Sequence, residues 1–110
     1  MTESCARHVI WIGEVQGVGF RVSVFKEARR LGLTGWVRNR TDRSVEALLV
    51  GDATKIDALL ARMRVARRDQ IREVIDSPMT SPPPPTFEIV ATVTTDTPHA
   101  APPAPTEFES

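Results

Sequence analysis

Val15-Gln16-Gly17-Val18-Gly19-Phe20-Arg21 lies where a strand-like run of the sequence ends and a helix-like run begins. The residues before it, 7–14, are rich in the β-branched and aromatic side chains that strands favour. The residues after it, 22–31, carry Val24 and Ala28 at helical spacing. The stretch therefore predicts a turn that leads from a strand into a helix.

The composition of this turn indicates an anion site. Gly17 and Gly19 allow backbone conformations that other residues avoid, and they let a ligand approach the main chain. The free N–H groups and the macrodipole of a helix's first turn favour negative charge, yet the sequence offers Arg21 and no carboxylate before Glu27. Taken alone, such glycines more often serve turn geometry, and such an arginine is more often solvated. An anion bound between the helix end and Arg21 would make a positive charge favourable at this position.

Length, charge and cysteine content restrict the class of protein. A chain of 110 residues suits one domain, and its 14 basic and 14 acidic residues cancel, so no overall field favours nucleic acid or an anionic membrane. The single cysteine, Cys5, excludes an intramolecular disulfide and a thiolate metal cluster. The sequence also lacks a signal-peptide pattern and a membrane-spanning apolar run. We therefore expect a soluble cytoplasmic protein. Its two histidines suggest no metal, and no cofactor is expected.

The remaining sequence predicts further strands and one more helix. Strands are expected at 36–39, 45–50, 70–77 and 87–93, with a hairpin turn at 41–44. Thr54 is expected to cap the second helix, with Asp57 as its reciprocal partner. The apolar stripe of that helix consists of Ile56, Leu59, Leu60 and Met63. Pro82–Pro85 predicts a stiff connector with little capacity to join a sheet.

This order of elements, βαββαβ with an extra C-terminal strand, predicts an α+β fold of the ferredoxin-like, split βαβ kind. Such a fold is an antiparallel sheet with two helices on one face. The domain is expected at residues 7–93, after a flexible N-terminus at 1–6 and before a disordered tail at 94–110 that is rich in Pro, Ala and Thr. In this topology Asn39 is expected near the glycine turn. The fold by itself names no function.

Two segments resemble the signature regions of the acylphosphatase family. They are Gly13-Glu14-Val15-Gln16-Gly17-Val18-Gly19-Phe20-Arg21 and Gly35-Trp36-Val37-Arg38-Asn39, the latter followed by Val45-Glu46. The resemblance covers residues 7–93. It implies metal-independent hydrolysis of the carboxyl-phosphate bond of small acyl phosphates. It also implies that Arg21 binds phosphate, that Asn39 orients the attacking water, and that the phosphoryl group is held by the loop amides of Gln16, Gly17, Val18, Gly19, Phe20 and Arg21.

The chemistry of acyl phosphates is compatible with so small a set of groups. Phosphoryl transfer needs positioning and charge stabilisation more than a protein nucleophile. The leaving carboxylate has a conjugate acid of pKa about 4 to 4.5, so no general acid is needed. We expect a monomer whose partners are a small acyl phosphate and inorganic phosphate, with no nucleic acid and no membrane. One residue departs from the family pattern, because Arg43 stands where the family has a hairpin glycine. Either the turn differs or Arg43 adds positive charge near the phosphate.

Other functions remain open at this stage. A catalytically silent ferredoxin-like module that binds phosphate or a phosphorylated partner would keep the anion site, although binding alone requires no water-orienting Asn39. An RNA-recognition domain would need exposed aromatic side chains, and the chain has no Tyr and four Phe. We expect Phe20 and Trp36 to be packing residues. Four arginines are expected to form a solvated helix face, with nucleic-acid contact as the alternative: Arg62, Arg64, Arg67 and Arg68.

Overall fold

The computed structural model describes residues 4–92 as one five-stranded sheet with two helices. The elements are β1 (Ser4–Gly13), α1 (Phe20–Leu31), β2 (Thr34–Asn39), β3 (Val45–Asp52), α2 (Ala53–Ala66), β4 (Ile71–Met79) and β5 (Phe87–Ile89). The strand order is β4-β1-β3-β2-β5. Neither helix of this part of the chain is long and apolar enough to cross a membrane.

The strand pairing confirms the ferredoxin-like α+β fold with one correction. Strands β1 to β4 pair antiparallel, as predicted. The additional strand β5 pairs with β2 in parallel, so the sheet is mixed rather than antiparallel throughout. Alternation of apolar side chains predicts a strand but does not indicate which sheet edge it joins or in which direction.

One face of the sheet packs against both helices and forms the main core. Along β3, Val45, Ala47 and Leu49 point to this face, whereas Leu48 and Val50 point to the other. The predicted apolar stripe of α2 lies in the main core, and so do Val24 and Ala28 of α1. Each fully buried aliphatic side chain of this kind contributes about 1.5–3 kcal/mol relative to an exposed one.

Strand β1 begins earlier than the sequence predicts. Residues 4–6, expected to be flexible, pair with β3: Ser4 lies opposite Asp52, Cys5 opposite Gly51 and Ala6 opposite Val50. These residues have weak strand propensity, and Gly51 and Asp52 were expected to end β3. The backbone ladder between the two strands nevertheless continues through them. Residues 1–3 and the predicted tail at 94–110 lie outside the described residues.

The last strand is shorter than the predicted 87–93. β5 ends at Ile89 and pairs only with Gly35–Val37 of β2. Two further backbone hydrogen bonds flank this pairing: Gly35 N–H donates to the Thr86 carbonyl at 3.0 Å, and Val90 N–H donates to the Val37 carbonyl at 2.9 Å. The alternation of apolar residues continues beyond this point, but alternation alone does not supply a neighbouring strand.

The cap of α2 also differs from the prediction. Asp52, not Thr54, caps the helix: its Oδ1 accepts hydrogen bonds from Thr54 N at 2.9 Å and Thr54 Oγ1 at 2.8 Å. Asp57 is not a reciprocal capping partner, because its Oδ1 accepts a hydrogen bond from Arg7 at 2.7 Å. Asp and Thr are both good capping residues, so two candidates two positions apart cannot be separated by residue type.

The connector between β4 and β5 crosses the second face of the sheet. These strands lie at opposite edges, four strand spacings or about 19 Å apart. Residues 80–86 make this crossing, and all of them except Pro83 line, together with Trp36 and Leu48, a cavity of about 370 Å³. Trp36 is buried here, as predicted for a packing residue. Pro82–Pro85 forms no strand, which confirms its predicted role as a connector.

Candidate active site

The loop between β1 and α1 is held at both ends by buried side chains. Val15 and Phe20 are each 1% exposed, and the Phe20 ring meets the Trp11 ring edge-on with centroids 5.3 Å apart. Phe20 is therefore a packing residue, as predicted. Glu14 N–H donates to the Gln70 carbonyl at 2.8 Å, which ties the start of the loop to the α2–β4 connection. These contacts fix the positions from which the loop extends to the surface.

The backbone of the loop has the properties predicted for an anion site. Gly17 and Gly19 both have φ +79°, a left-handed conformation that favours glycine. Gly19 precedes the first residue of α1, and no side chain caps that helix. Within residues 4–92, the N–H groups of residues 16–21 donate to no backbone or side-chain acceptor. Consecutive free N–H groups at the start of a helix are donors suited to an anion.

Arg21 is the second residue of α1 and is half-buried. The first turn of the helix contains no acidic residue. No carboxylate in the described part of the chain forms an ion pair with Arg21. A cation and the positive end of a helix dipole therefore lie together without a protein counter-charge, which is electrostatically unfavourable unless an anion binds.

Asn39 ends β2 on the same side of the sheet as the helices. It lies opposite Val45, whose side chain belongs to the main core. The Oδ1 atom of Asn39 is buried and accepts no hydrogen bond from residues 4–92. Buried polar atoms nearly always have a partner, so this oxygen is suited to accept a hydrogen bond from a water molecule or ligand.

The side chain of Gln16 joins the loop to the hairpin that follows Asn39. Its Nε2 donates to the carbonyl oxygens of Arg40 at 2.8 Å and Ser44 at 2.9 Å. The loop and the end of β2 therefore meet, as the predicted topology required. The sequence singled out the backbone amide of Gln16, but it did not indicate this structural role of the side chain.

The hairpin keeps a tight turn although Arg43 stands where the resemblance implies a glycine. Arg43 has φ +76° and is the only non-glycine residue with positive φ in the described chain. Its N–H donates to the Arg40 carbonyl at 3.0 Å, and Arg40 N–H donates to the Ser44 carbonyl at 2.9 Å. Asp42 Oδ1 accepts hydrogen bonds from Ser44 N at 3.0 Å and Ser44 Oγ at 2.5 Å. Arg43 therefore adopts the conformation that glycine would supply.

Arg67, immediately after α2, contacts the loop directly. Its Nη1 donates to the Val18 carbonyl at 2.9 Å, and its Nη2 contacts the Gly19 carbonyl at 3.3 Å and Ser23 Oγ at 2.5 Å. Arg67 is thus not part of a solvated helix face, which corrects the prediction for one of the four arginines. Arg64 and Arg68 are exposed. No sequence signal separates these arginines, because the contact depends on where α2 ends.

A second charged cluster lies on the opposite face of the sheet. Glu46 is buried between His8 Nε2, 2.5 Å from its Oε2, and Arg38 Nε, which donates to its Oε1 at 2.9 Å. Burial, the largest single influence on the Glu46 carboxyl group, acts to raise its pKa. Hydrogen bonds and charge from His8 and Arg38 together outweigh it and hold the pKa below its usual value. In the chain as described, no three His, Cys, Asp or Glu side chains are grouped as metal ligands.

Comparisons with known proteins agree with the sequence signatures. Residues 7–89 match the family model for acylphosphatase. An acylphosphatase from Acidiphilium cryptum is 54% identical over 59 residues, which are 54% of this chain and 65% of that protein, slightly less than two thirds. One from Nitrobacter hamburgensis is 45% identical over 75 residues, 64% of this chain and 76% of that protein. The structure of an acylphosphatase from Coxiella burnetii has a TM-score of 0.70 at 30% identity, covering 78% of this chain and 92% of that one.

Proposed function

Because this chain belongs to the acylphosphatase family, we propose that it hydrolyses the carboxyl-phosphate bond of small acyl phosphates to a carboxylate and inorganic phosphate. The observation that carries this proposal is the run of N–H groups at residues 16–21, which have no acceptor within residues 4–92. In the proposal these donors and the Arg21 guanidinium hold the phosphoryl oxygens. Asn39 orients the attacking water.

The proposed transition state is stabilised by charge and by fixed geometry. As the bond between phosphorus and the acyl oxygen breaks, negative charge is distributed over the phosphoryl oxygens and the departing carboxylate. Donors already directed at the phosphoryl oxygens then interact more strongly without reorganising. Arg21 supplies a full positive charge, and it has no ion-pair partner in residues 4–92 that would weaken this effect.

Asn39 is proposed to make the site hydrolytic. Its buried Oδ1, which accepts no hydrogen bond from the described protein, is available to accept one from the attacking water. The water oxygen forms the new bond to phosphorus, and the acyl oxygen leaves with the electron pair of the broken bond. The proton of the water passes to a phosphoryl oxygen. The leaving carboxylate needs no proton, since the pKa of its conjugate acid is about 4 to 4.5.

Hydrolysis of benzoyl phosphate in excess chelator tests this proposal. Wild-type protein should turn over without metal. Asn39→Ala should abolish turnover while leaving competitive inhibition by phosphate intact, whereas Arg21→Gln should weaken both. Arg29→Gln is a matched control, because Arg29 is exposed in the last turn of α1, at the opposite end of that helix from the loop. Far-UV circular dichroism establishes that each variant is folded.

The alternative function has a distinct outcome in the same assay. A silent module that binds phosphate or a phosphorylated partner would show phosphate binding by the wild type without any turnover. If the wild type neither hydrolyses acyl phosphates nor binds phosphate, both functions are wrong. Turnover that survives Asn39→Ala unchanged would remove Asn39 from the mechanism.

The monomeric state and cytoplasmic location belong to the same proposal. A single cysteine and equal numbers of basic and acidic residues are compatible with a reducing compartment and with a small-molecule partner rather than nucleic acid or an anionic membrane. Light scattering at assay concentration should give the mass of one chain. A stable dimer would contradict the proposed state.

A further inference from the structure

Arg67 contacts two successive peptide groups of the loop between β1 and α1. The guanidinium donates to the Val18 carbonyl and contacts the Gly19 carbonyl, and it also reaches Ser23 Oγ in the first turn of α1. We infer that Arg67 is a positioning residue, which sets the direction of the loop N–H groups that hold the phosphoryl group. This inference rests on the proposed function.

The planarity of the peptide bond connects these contacts to the anion site. In a trans peptide the C=O and N–H groups point in opposite directions. When the Val18 carbonyl faces Arg67, the Gly19 N–H therefore faces away from it. The Gly19 carbonyl accepts from Ser23 N–H at 3.0 Å as well as from Arg67, so the first hydrogen bond of α1 also orients the Phe20 N–H. Arg67 thus orients the Gly19 N–H, and supports the orientation of the Phe20 N–H, without contacting the phosphate.

The loop needs such a constraint because two of its residues are glycines. Gly17 and Gly19 can exchange between left-handed and right-handed conformations more easily than other residues. A Cβ at Gly17 would meet no atom within 4 Å, whereas a Cβ at Gly19 would lie 3.7 Å from Arg67 Nη2, so Arg67 is the neighbour on this side of Gly19. Rotation of the peptide between Val18 and Gly19 would reverse the Gly19 N–H. The hydrogen bond from Arg67 Nη1 opposes that rotation.

Arg67 is itself held by the core. Its N–H donates to the Met63 carbonyl at 2.8 Å, and Met63 is buried. Its carbonyl accepts from Gln70 N–H at 2.9 Å and from Ile71 N–H at 3.1 Å. The Gln70 carbonyl in turn accepts a hydrogen bond from the N–H group of Glu14, at the start of the loop. The base of the Arg67 side chain and the start of the loop therefore belong to one hydrogen-bonded unit.

The geometry and the charge of the Arg67 side chain predict different effects of an Arg67→Lys substitution. No acidic side chain of residues 4–92 pairs with Arg67, so its charge also favours a nearby anion. Lysine would keep that charge but lacks the planar fork that spans two carbonyl groups and a hydroxyl. Arg67→Lys therefore separates the two contributions, and Arg67→Met removes both.

Kinetics and phosphate inhibition provide the first test. Misdirecting donors to a charged group costs about 1.5–3 kcal/mol, so Arg67→Met should raise the inhibition constant of phosphate and the KM for benzoyl phosphate about 10- to 100-fold. Arg67→Lys should fall near Arg67→Met. Arg68→Met, at the exposed neighbouring position, should match the wild type. Equal constants for Arg67→Lys and wild type would show that charge alone acts.

Amide NMR shifts provide a second test that does not require turnover. Inorganic phosphate should move the Gly19 and Phe20 amide proton resonances in the wild type, and the Gly19 response should be much reduced in Arg67→Lys. An active wild type whose phosphate constants and amide responses are unaffected in both Arg67 variants would overturn this inference alone. A wild type that neither binds nor hydrolyses would instead overturn the proposed function. If Arg67→Met does not fold, Arg67→Lys decides.

Discussion

Arg43 carries a backbone conformation that its side chain disfavours. A left-handed φ costs a residue with a Cβ about 1–2 kcal/mol, whereas glycine avoids that cost but loses more entropy on folding. We therefore expect Arg43→Gly to raise the free energy of unfolding by about 0.5–1 kcal/mol in urea at pH 7. Arg43→Ala keeps the Cβ and should give no such gain. An equal gain in both variants would assign the effect to the arginine side chain.

The buried Glu46 should make stability depend on pH. Its pKa is lower in the folded chain than in the unfolded chain because hydrogen bonds from His8 and Arg38 outweigh the effect of burial. Its stabilising contribution is therefore complete above the unfolded pKa of about 4.3 and is lost as the pH falls through the folded pKa. Denaturation in urea at a series of pH values from 7 downward measures this loss.

Glu46→Gln is the variant for that experiment. It leaves Arg38 buried without its carboxylate, so we expect a loss of about 3–5 kcal/mol at pH 7. The difference from wild type should shrink as the pH falls through the folded pKa of Glu46, because Glu46 itself then becomes protonated. Glu73→Gln, at an exposed position of β4, is the control and should follow the wild type. A difference independent of pH would contradict the role given to the Glu46 charge.

The conformations and contacts of some residues could be predicted from the sequence, and those of others could not. Gly17 and Gly19 were predicted to allow backbone conformations that other residues avoid, and both have positive φ values. The roles of Arg21 and Asn39 stay predictions. Arg67 and the Gln16 side chain could not be found, because their contacts join segments far apart in the chain. An arginine near the end of a helix has no local pattern that separates solvent from a partner.

At the scale of elements, the start of α2 gives a direct prediction. Asp52 accepts two hydrogen bonds from Thr54, so Asp52→Ala should lower the free energy of unfolding by about 1 kcal/mol. Thr54→Ala removes only the hydroxyl contact and should cost less. Urea denaturation of both variants measures this order. A larger loss for Thr54→Ala would identify Thr54 as the dominant group.

The order of elements could be predicted because their apolar patterns are local. The stripe from Ile56 to Met63 has helical spacing whether or not the sheet is known, and it is buried as expected. Element ends were less predictable, since a strand end depends on its neighbour. Residues 4–6 extend β1 because β3 continues beside them, and β5 stops after three residues of pairing with β2.

At the scale of the molecule, we expect the folded unit to end at Val93. Residues 94–110 include a single large apolar side chain, Phe108, so they have little surface to bury. A chain ending after Val93 should keep the wild-type free energy of unfolding and hydrolytic rate. A chain ending after Thr86 lacks the buried Phe87 and should lose about 3–5 kcal/mol or more. Unfolding of the 93-residue chain would contradict the proposed boundary.

The crossing of the sheet by residues 80–86 affects how one molecule meets another. β5 covers the outer edge of β2 through three residues only, and its loss would expose backbone groups on which a second chain could add a strand. Residues 80–86 keep a detached β5 close to β2 of the same chain, so pairing within the chain competes with pairing between chains. The prolines of this segment have no N–H group and cannot extend a ladder themselves. We therefore expect the proline segment to favour pairing of β2 with its own β5 over pairing of β2 with a second chain.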